Sequence, residues 1–177
     1  ECPVALLRLP FAALLLAATA AASAQAPSDA QIASIVVTAN QVDIDAGKLA
    51  VSDAHADAVK AFARQMITDH TGVNQQAVAL VTKLKVVPED NPTSQSLKKG
   101  GEDNLQALRM LKGAAFDKAY IKAMIKDHKE DIAQFKKEAT GGKDPDARAF
   151  AAAALPTLEA HLKKIQSIAA GAGVSAE

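Results

Sequence analysis

The sequence predicts an all-α fold, a bundle of four long helices with a shorter helix between the second and third. Apolar residues recur at intervals of three and four over long stretches, which is the spacing of one buried helix face. No segment shows the alternation of apolar and polar residues that a half-buried strand would give. Aromatic residues make up only 3% of the chain, and alanine is abundant, which suits closely packed helices.

The first two long helices are predicted from their start signal and their apolar stripes. Ser28, with Gln31 three residues later, forms a capping-box pattern that opens the first helix. Its stripe continues to about Ser52, and a short break leads to a second helix over about 57–85. The stripe of this second helix includes His70, so a histidine occupies a position that should face the core.

The middle of the chain predicts a connection and a weaker helix. Pro88 and Pro92 indicate that the chain leaves the second helix at this point. A shorter helix is expected from 94 to 112, with its start weakened by Gly100 and Gly101.

Two further long helices complete the predicted bundle. One is expected over about 115–139, because Gly141-Gly142 stops it. Asp144 followed by Pro145 is an N-cap with proline at the first helical position, which opens the last helix. Pro156 lies inside that helix and is expected to kink it or to begin a new segment. The tail from Gly171 onward is expected to fray.

The lengths of the connections predict how the helices are arranged. Short connections join the first pair and the last pair, so each pair should be antiparallel. The stretch over 86–114 is long enough to run back along the bundle as a crossover. One long crossover is the ferritin-like connectivity. The expected fold is therefore a ferritin-like four-helix bundle whose crossover carries the additional shorter helix.

Residues 1–24 are expected to be a secretory signal peptide. Arg8 precedes an apolar run over 9–22, and Ala22-Ser23-Ala24 supplies the small residues of a cleavage site. The run falls short of the roughly 20 apolar residues of a transmembrane helix, although a retained N-terminal anchor is the alternative. We expect one helical domain over 25–177 that has no membrane span and is exported to the periplasm, either free or associated with the cell envelope.

Composition excludes several classes of function. Cys2 is the only cysteine and precedes the expected cleavage point, which excludes thiolate zinc sites, iron–sulfur clusters and cysteine nucleophiles. The net charge is zero, which argues against nucleic acid as a partner. The nucleophile elbow, the H-E-x-x-H zinc motif and the P-loop are absent, so binding is expected rather than catalysis.

A five-residue phrase occurs twice in the chain. Met66-Ile67-Thr68-Asp69-His70 recurs as Met124-Ile125-Lys126-Asp127-His128. A methionine four residues before a histidine lies on the same helix face, one turn away. Each copy therefore brings a thioether and an imidazole together, with a carboxylate next to the imidazole. The methionines are most simply residues that fill the core.

Several stretches of the chain resemble one bacterial family. They are 43–50, 59–63 leading into the first repeat, 115–120 before the second repeat, and 155–162. Together they are similar to domain-of-unknown-function family 4142, small exported proteins often labelled outer-membrane proteins. The resemblance covers nearly all of the expected mature chain. It implies a ferritin-like helical bundle and no established activity. Members commonly carry glutamate where Asp43 stands in this chain.

The predicted bundle places a candidate metal site in its core. The midpoints of the four long helices should fall at one level, where three imidazoles and up to three carboxylates converge. The candidate ligands are His70, His128, His161, Asp69, Asp127 and Asp43. The Glu-x-x-His pairs of di-iron oxidases are absent. A site rich in histidine suits copper or zinc better than iron. A b-type haem is disfavoured, because no aromatic-lined pocket is apparent.

The alternative interpretation is a structural one. Buried histidine and aspartate side chains satisfy each other when they pair, and the candidate pairs are His70 with Asp127 and His128 with Asp69. Such pairs would lock the helix register, and the protein would be an interaction module for an envelope partner or a second copy of itself. Imidazole nitrogens within about 4–5 Å of one another and facing a common point would favour a metal. Nitrogens facing single aspartate oxygens would favour the lock.

Overall fold

The structure, a computed structural model, describes residues 27–175 and consists of five helices. The expected signal peptide over 1–24 lies outside the described residues. The helices are α1 (Asp29–Asp53), α2 (Asp57–Leu84), α3 (Pro92–Arg109), α4 (Gly113–Gly141) and α5 (Pro145–Gly171). No strand occurs within 27–175. The all-α fold class is therefore confirmed.

Capping residues set where three of the helices begin. Ser28 and Gln31 make both hydrogen bonds of the predicted capping box, and Asp144 caps α5 as expected. The start of α3 was predicted two residues too late. Asn91 caps α3, and Pro92 is its first residue. Proline fits there because its missing N–H would have no partner in the first turn.

The crossover helix α3 runs along the outside of α1. Near the start of α1, the Ser34 hydroxyl donates to Asp90 Oδ1 at 3.0 Å. Near its end, Lys112 Nζ lies 3.3 Å from Asp53 Oδ2. The chain that left the bundle at the end of α2 thus returns to the opposite end before α4 begins. This is the ferritin-like connectivity that the sequence predicted, with α1 and α5 pointing one way and α2 and α4 the other.

A carboxylate from α4 holds the turn between α1 and α2. Asp117 Oδ1 accepts from the backbone N–H of His55, and Asp117 Oδ2 accepts from that of Ala56, both at 2.8 Å. The residue before α2 is an alanine and offers no side-chain cap of its own. Asp117 therefore joins the two helical hairpins at this end of the bundle. Asp117 lies within one of the stretches that resemble the family, but the sequence pattern predicts no role for it.

The core consists of two apolar clusters separated by a layer of histidines. The larger cluster contains Met66 and Met124, which are fully buried and act as core residues, as expected. The smaller cluster is formed by Ile132, Phe135, Ala151, Ala154 and Leu158. His70 and His128 each follow a buried methionine by one helical turn, so they lie where one cluster gives way to the other.

The C-terminal part of the fold differs in detail from the prediction. Pro156 lies within an unbroken α5 and does not begin a new segment. The tail does not fray at once, because Val174 is 8% exposed, belongs to the larger apolar cluster and donates its N–H to the Ala169 carbonyl at 2.9 Å. Gly173 allows this return with a φ of 63°. Of the helices over 27–175, none is long and apolar enough to cross a membrane.

Candidate metal centre

Three imidazoles meet in the middle of the bundle. His70 comes from α2, His128 from α4 and His161 from α5, and none is more than 1% exposed. Their ring centroids form a nearly equilateral triangle with sides of 5.5–5.6 Å. One nitrogen from each ring lies within 4.8 Å of one nitrogen from each of the others. The predicted convergence of the three histidines is therefore confirmed.

The ring of Phe62 covers the face of the triangle toward the larger apolar cluster. Its centroid lies 6.5 Å from that of His128 and 6.4 Å from that of His161. A cavity of about 10 Å³ lies against His70 and His161 on another side. That is about the space one water or one small ion occupies.

The protonation of His70 follows from a hydrogen bond to α1. His70 Nδ1 lies 2.7 Å from Asn40 Oδ1. The Asn40 amide nitrogen donates to the Val36 carbonyl at 3.0 Å, which turns the amide oxygen toward His70. Because that oxygen can only accept, His70 Nδ1 carries the proton and His70 Nε2 keeps its lone pair.

The other two imidazoles are arranged in the same way. His128 Nδ1 donates to the Met124 carbonyl at 2.9 Å, and His161 Nε2 donates to Asp69 Oδ2 at 2.8 Å. The lone pairs are therefore on His128 Nε2 and His161 Nδ1. These two atoms and His70 Nε2 are buried and have no hydrogen-bond partner among the described residues. The three rings therefore offer three acceptors and no donor to one another.

Burial keeps the three imidazoles neutral. It lowers the pKa of His70 to about 3 and that of His128 to about 4, with further contributions from the neighbouring imidazoles. Burial also lowers the pKa of His161, against the opposing effect of its hydrogen bond to Asp69. At neutral pH each ring is uncharged, which is the form that binds a metal ion.

Asp43 brings a carboxyl group to the same place. Asp43 is 1% exposed, and its Oδ2 lies 3.5 Å from His70 Nε2. Neither oxygen has a hydrogen-bond partner within 27–175. Burial, and then the carboxylates of Asp131 and Asp127, raise the pKa of Asp43 well above its usual range. Of the three aspartates among the predicted ligands, Asp43 is therefore the one whose carboxyl group could bind a metal ion together with the three imidazoles.

The two other predicted aspartates have different positions. Asp69 is a third exposed and hydrogen-bonds the outer nitrogen of His161, so it orients that ring. Asp127 interacts with other charged groups, chiefly Lys126 and Glu130, and burial raises its pKa to about 6. Among the hydrogen bonds and ion pairs described, none joins Asp127 to an imidazole.

The specific pairs considered for a structural lock are wrong. His70 contacts Asn40 and Asp43 instead of Asp127, and His128 donates to a carbonyl of its own helix instead of Asp69. Neighbouring residues on a helix point about 100° apart. When a histidine faces the bundle axis, the aspartate before it therefore faces an adjacent helix.

Three polar groups of the site were not predicted. Asn40 is buried within the apolar stripe of α1, and an amide in such a position is a usable signal. Asp131, three residues after His128, has its pKa raised to about 7 by burial and by the neighbouring Asp127 and Glu130. The hydroxyl of Tyr120 is buried without a partner among the described residues. Burial, and then the nearby Asp43 carboxylate, raise its pKa.

Comparisons with known proteins agree with this architecture. A family model described as "Domain of unknown function (DUF4142)" matches residues 15–168. No curated protein matches the chain. Among solved structures, a "putative secreted protein DUF305" from Streptomyces coelicolor superimposes with a TM-score of 0.70. The two are 10% identical, and the match covers 82% of this chain and 93% of that one. At this identity the likeness shows a shared helical fold.

Proposed function

This chain belongs to the DUF4142 family, a family without an assigned function, and we propose that it binds one zinc or copper ion in the core of its bundle. His70, His128 and His161 supply three nitrogen ligands, and Asp43 supplies an oxygen. The single observation that supports the proposal is the convergence of three buried imidazoles, each with one ring nitrogen that has no hydrogen-bond partner among the described residues.

Several buried hydrogen-bond acceptors in this layer have no partner among the described residues. A buried polar atom without a partner costs about 1–3 kcal/mol, and folded proteins keep few of them. Here three nitrogens and both Asp43 oxygens are in that state within one small region. A single proton satisfies at most two of these atoms. One metal cation satisfies all the ligands at once, because each lone pair then points at positive charge.

The geometry requires only a small contraction. With zinc–nitrogen distances of about 2.0–2.1 Å, tetrahedral ligands lie about 3.3 Å apart. The present separations are at most 4.8 Å. If the three nitrogens were all 4.8 Å apart, each would have to move about 0.8 Å toward their centre to reach the spacing of zinc ligands. Side-chain rotation covers such a distance.

The outer nitrogens of the rings also match those of metal ligands. Histidines that bind metals commonly donate their second N–H to a carboxylate, a carbonyl or water. In this chain the acceptors are the Asp69 carboxylate, the Met124 carbonyl and the Asn40 amide oxygen. These bonds leave the other nitrogen of each ring with a free lone pair.

The ligand set favours binding over catalysis. Imidazole nitrogen suits zinc and copper, and a single carboxylate contrasts with the carboxylate-rich sites of iron oxidases. Four protein ligands would close a tetrahedral site, whereas catalytic zinc sites keep a position for water or substrate. We propose that the protein holds its ion in the periplasm. The predicted signal peptide supports export, and the structural neighbour is described as a secreted protein.

Metal loading tests the proposal directly. The protein is purified without an affinity tag, offered zinc and copper separately, and its metal content is measured by mass spectrometry. We expect about one ion per chain. Single His70→Ala, His128→Ala and His161→Ala variants should lose it. His55→Ala is the matched control, because His55 is the fourth histidine of the chain and is exposed in the α1–α2 turn.

The outcomes also separate a metal site from a structural lock. If His55→Ala lowers the metal content as much as His128→Ala does, binding is only superficial and the proposal fails. If the protein stays metal-free and the core variants merely unfold earlier, the histidines lock the register of the helices. The bonds from His161 to α2 and from His70 to α1 favour that second role, which would suit an interaction module.

A further inference from the structure

A second cavity lies at the end of the bundle where α1 and α5 begin and where α2 and α4 end. Its volume is about 170 Å³, and its walls are mostly apolar. The side chains that form them include Ile32, Val36, Leu80, Leu84, Phe135 and Phe150. Among residues 27–175, the helix ends do not close over this space, and the smaller apolar cluster is open on one side.

The size of the cavity restricts what it holds. A dry cavity of about 150 Å³ lined by leucine, isoleucine and phenylalanine binds benzene, whereas pockets for drug-sized ligands measure about 300–1,000 Å³. A volume of about 170 Å³ therefore suits one aromatic ring or a short alkyl chain.

One polar group in the cavity wall lacks a partner. Glu138 is half-buried, and its Oε1 is a buried acceptor without a hydrogen bond among residues 27–175. This oxygen lies over Gly142, another wall residue, and a Cβ at Gly142 would overlap it. The glycine thus leaves room for the carboxyl group inside the wall.

The charges that act on Glu138 are mostly negative, and Lys137 and Lys143 also belong to the cavity wall. The carboxylates of Asp29 and Asp144 are close enough to raise the pKa of Glu138, together with burial, which contributes most. Arg148 opposes this effect, but its Nη1 donates to the carbonyls of Gly142 and Lys143. A cationic group that donates to Glu138 would therefore relieve both the missing hydrogen bond and the repulsion.

We infer that this cavity binds a small amphiphilic amine. The apolar part of the ligand, of the size of one aromatic ring, occupies the space between the helix ends. Its ammonium group donates to Glu138. Phe135 contributes to the walls of both this cavity and the small one beside His70 and His161, so the two sites are neighbours but distinct. The inference does not depend on the metal and is testable with metal-free protein.

The probes are 2-phenylethylamine and 3-phenylpropanoate, which share a ring and differ in the charge of the end group. Binding to the intact protein is measured by calorimetry and by changes in its NMR spectrum. We expect the amine to bind at least about tenfold more tightly than the acid. Equal affinities, or no binding of the amine, would overturn the inference and leave the cavity a packing defect.

Variants identify where the amine binds. Ala77 is buried and lines the cavity, so Ala77→Leu fills part of it and should weaken amine binding at least about tenfold. Ala79→Leu is the control, because Ala79 is exposed and does not line the cavity. Equal binding by both variants would place the amine elsewhere and overturn the inference.

Glu138→Gln keeps the cavity and removes the charge. It tests the inference even if Ala77→Leu does not fold. We expect this variant to lose most of its preference for the amine over the acid. A preference that remains at its original value would show that Glu138 does not hold the ammonium group.

Discussion

Two adjacent glycines in α3 should respond in opposite ways to replacement by alanine. A Cβ at Gly101 would lie 2.6 Å from Val42 Cγ2 and 2.9 Å from Val42 Cγ1, because α3 crosses α1 closely at this residue. A Cβ at Gly100 would have nothing within 4 Å. Both positions are in the interior of one helix, so their intrinsic preference for alanine is the same.

The two magnitudes follow from helix propensity and from overlap. Alanine is favoured over glycine in a helix by about 0.5–1 kcal/mol, so Gly100→Ala should stabilise the protein by about that amount. Carbon atoms in contact normally lie about 3.5–4.0 Å apart, so Gly101→Ala forces α3 away from Val42. Overpacking of this kind costs about 1–3 kcal/mol. The free energies of unfolding of the two variants should therefore differ by about 1–3 kcal/mol.

Urea unfolding followed by circular dichroism measures this difference. A double variant, Gly101→Ala with Val42→Ala, should recover most of the loss, because it removes both overlapping Cγ atoms. The reasoning is refuted if Gly101→Ala raises the unfolding midpoint as much as Gly100→Ala does. That result would mean that α3 does not pack closely against α1.

Two further predictions concern the carboxylates of Asp117 and Asp131. Asp117→Ala removes two hydrogen bonds between a charged group and the backbone of the α1–α2 turn, and should destabilise the protein by about 2–4 kcal/mol in urea unfolding. Asp103→Ala removes only an exposed ion pair and should change stability by less than about 0.5 kcal/mol, and equal effects would contradict the role of Asp117. Burial raises the folded-state pKa of Asp131 from 3.8 to about 7, so the folded protein binds more protons than the unfolded one across that window and loses stability as pH rises through it. In metal-free protein, Asp131→Asn should therefore be more stable than wild type by about 1–3 kcal/mol at pH 8, with little difference near pH 4. A gain that is the same at both pH values would show that Asp131 does not titrate in this way.

Most of the fold could be predicted because its signals are local. Apolar stripes and caps such as Ser28 and Asp144 depend on residues within a turn or two of each other. The start of α3 was predicted too late because proline has two structural meanings. Pro92 opens α3 although proline usually ends a helix, and Pro156 lies within a continuous α5 although it removes a backbone donor.

The sequence predicts the level of the candidate site along the bundle axis, but it does not predict the hydrogen-bond partners of its residues. His70, His128 and His161 lie near the middles of antiparallel helices, so their sequence positions alone place them at one level of the bundle. The partner of each ring depends on how each helix is rotated about its own axis. For this reason Asp69 hydrogen-bonds His161, whereas Asp127 contacts no imidazole among the hydrogen bonds and ion pairs described.

The sequence by itself determined the helical class, the crossover and the level at which three imidazoles meet, because helix length and apolar periodicity are properties of neighbouring residues. Only the tertiary structure decided which nitrogen of His70 and which nitrogen of His161 keeps its lone pair. His70 depends on Asn40, 30 residues away, and His161 depends on Asp69, 92 residues away. Contacts over such separations form only when the packing of all the helices sets their rotation and spacing, and no local pattern records them.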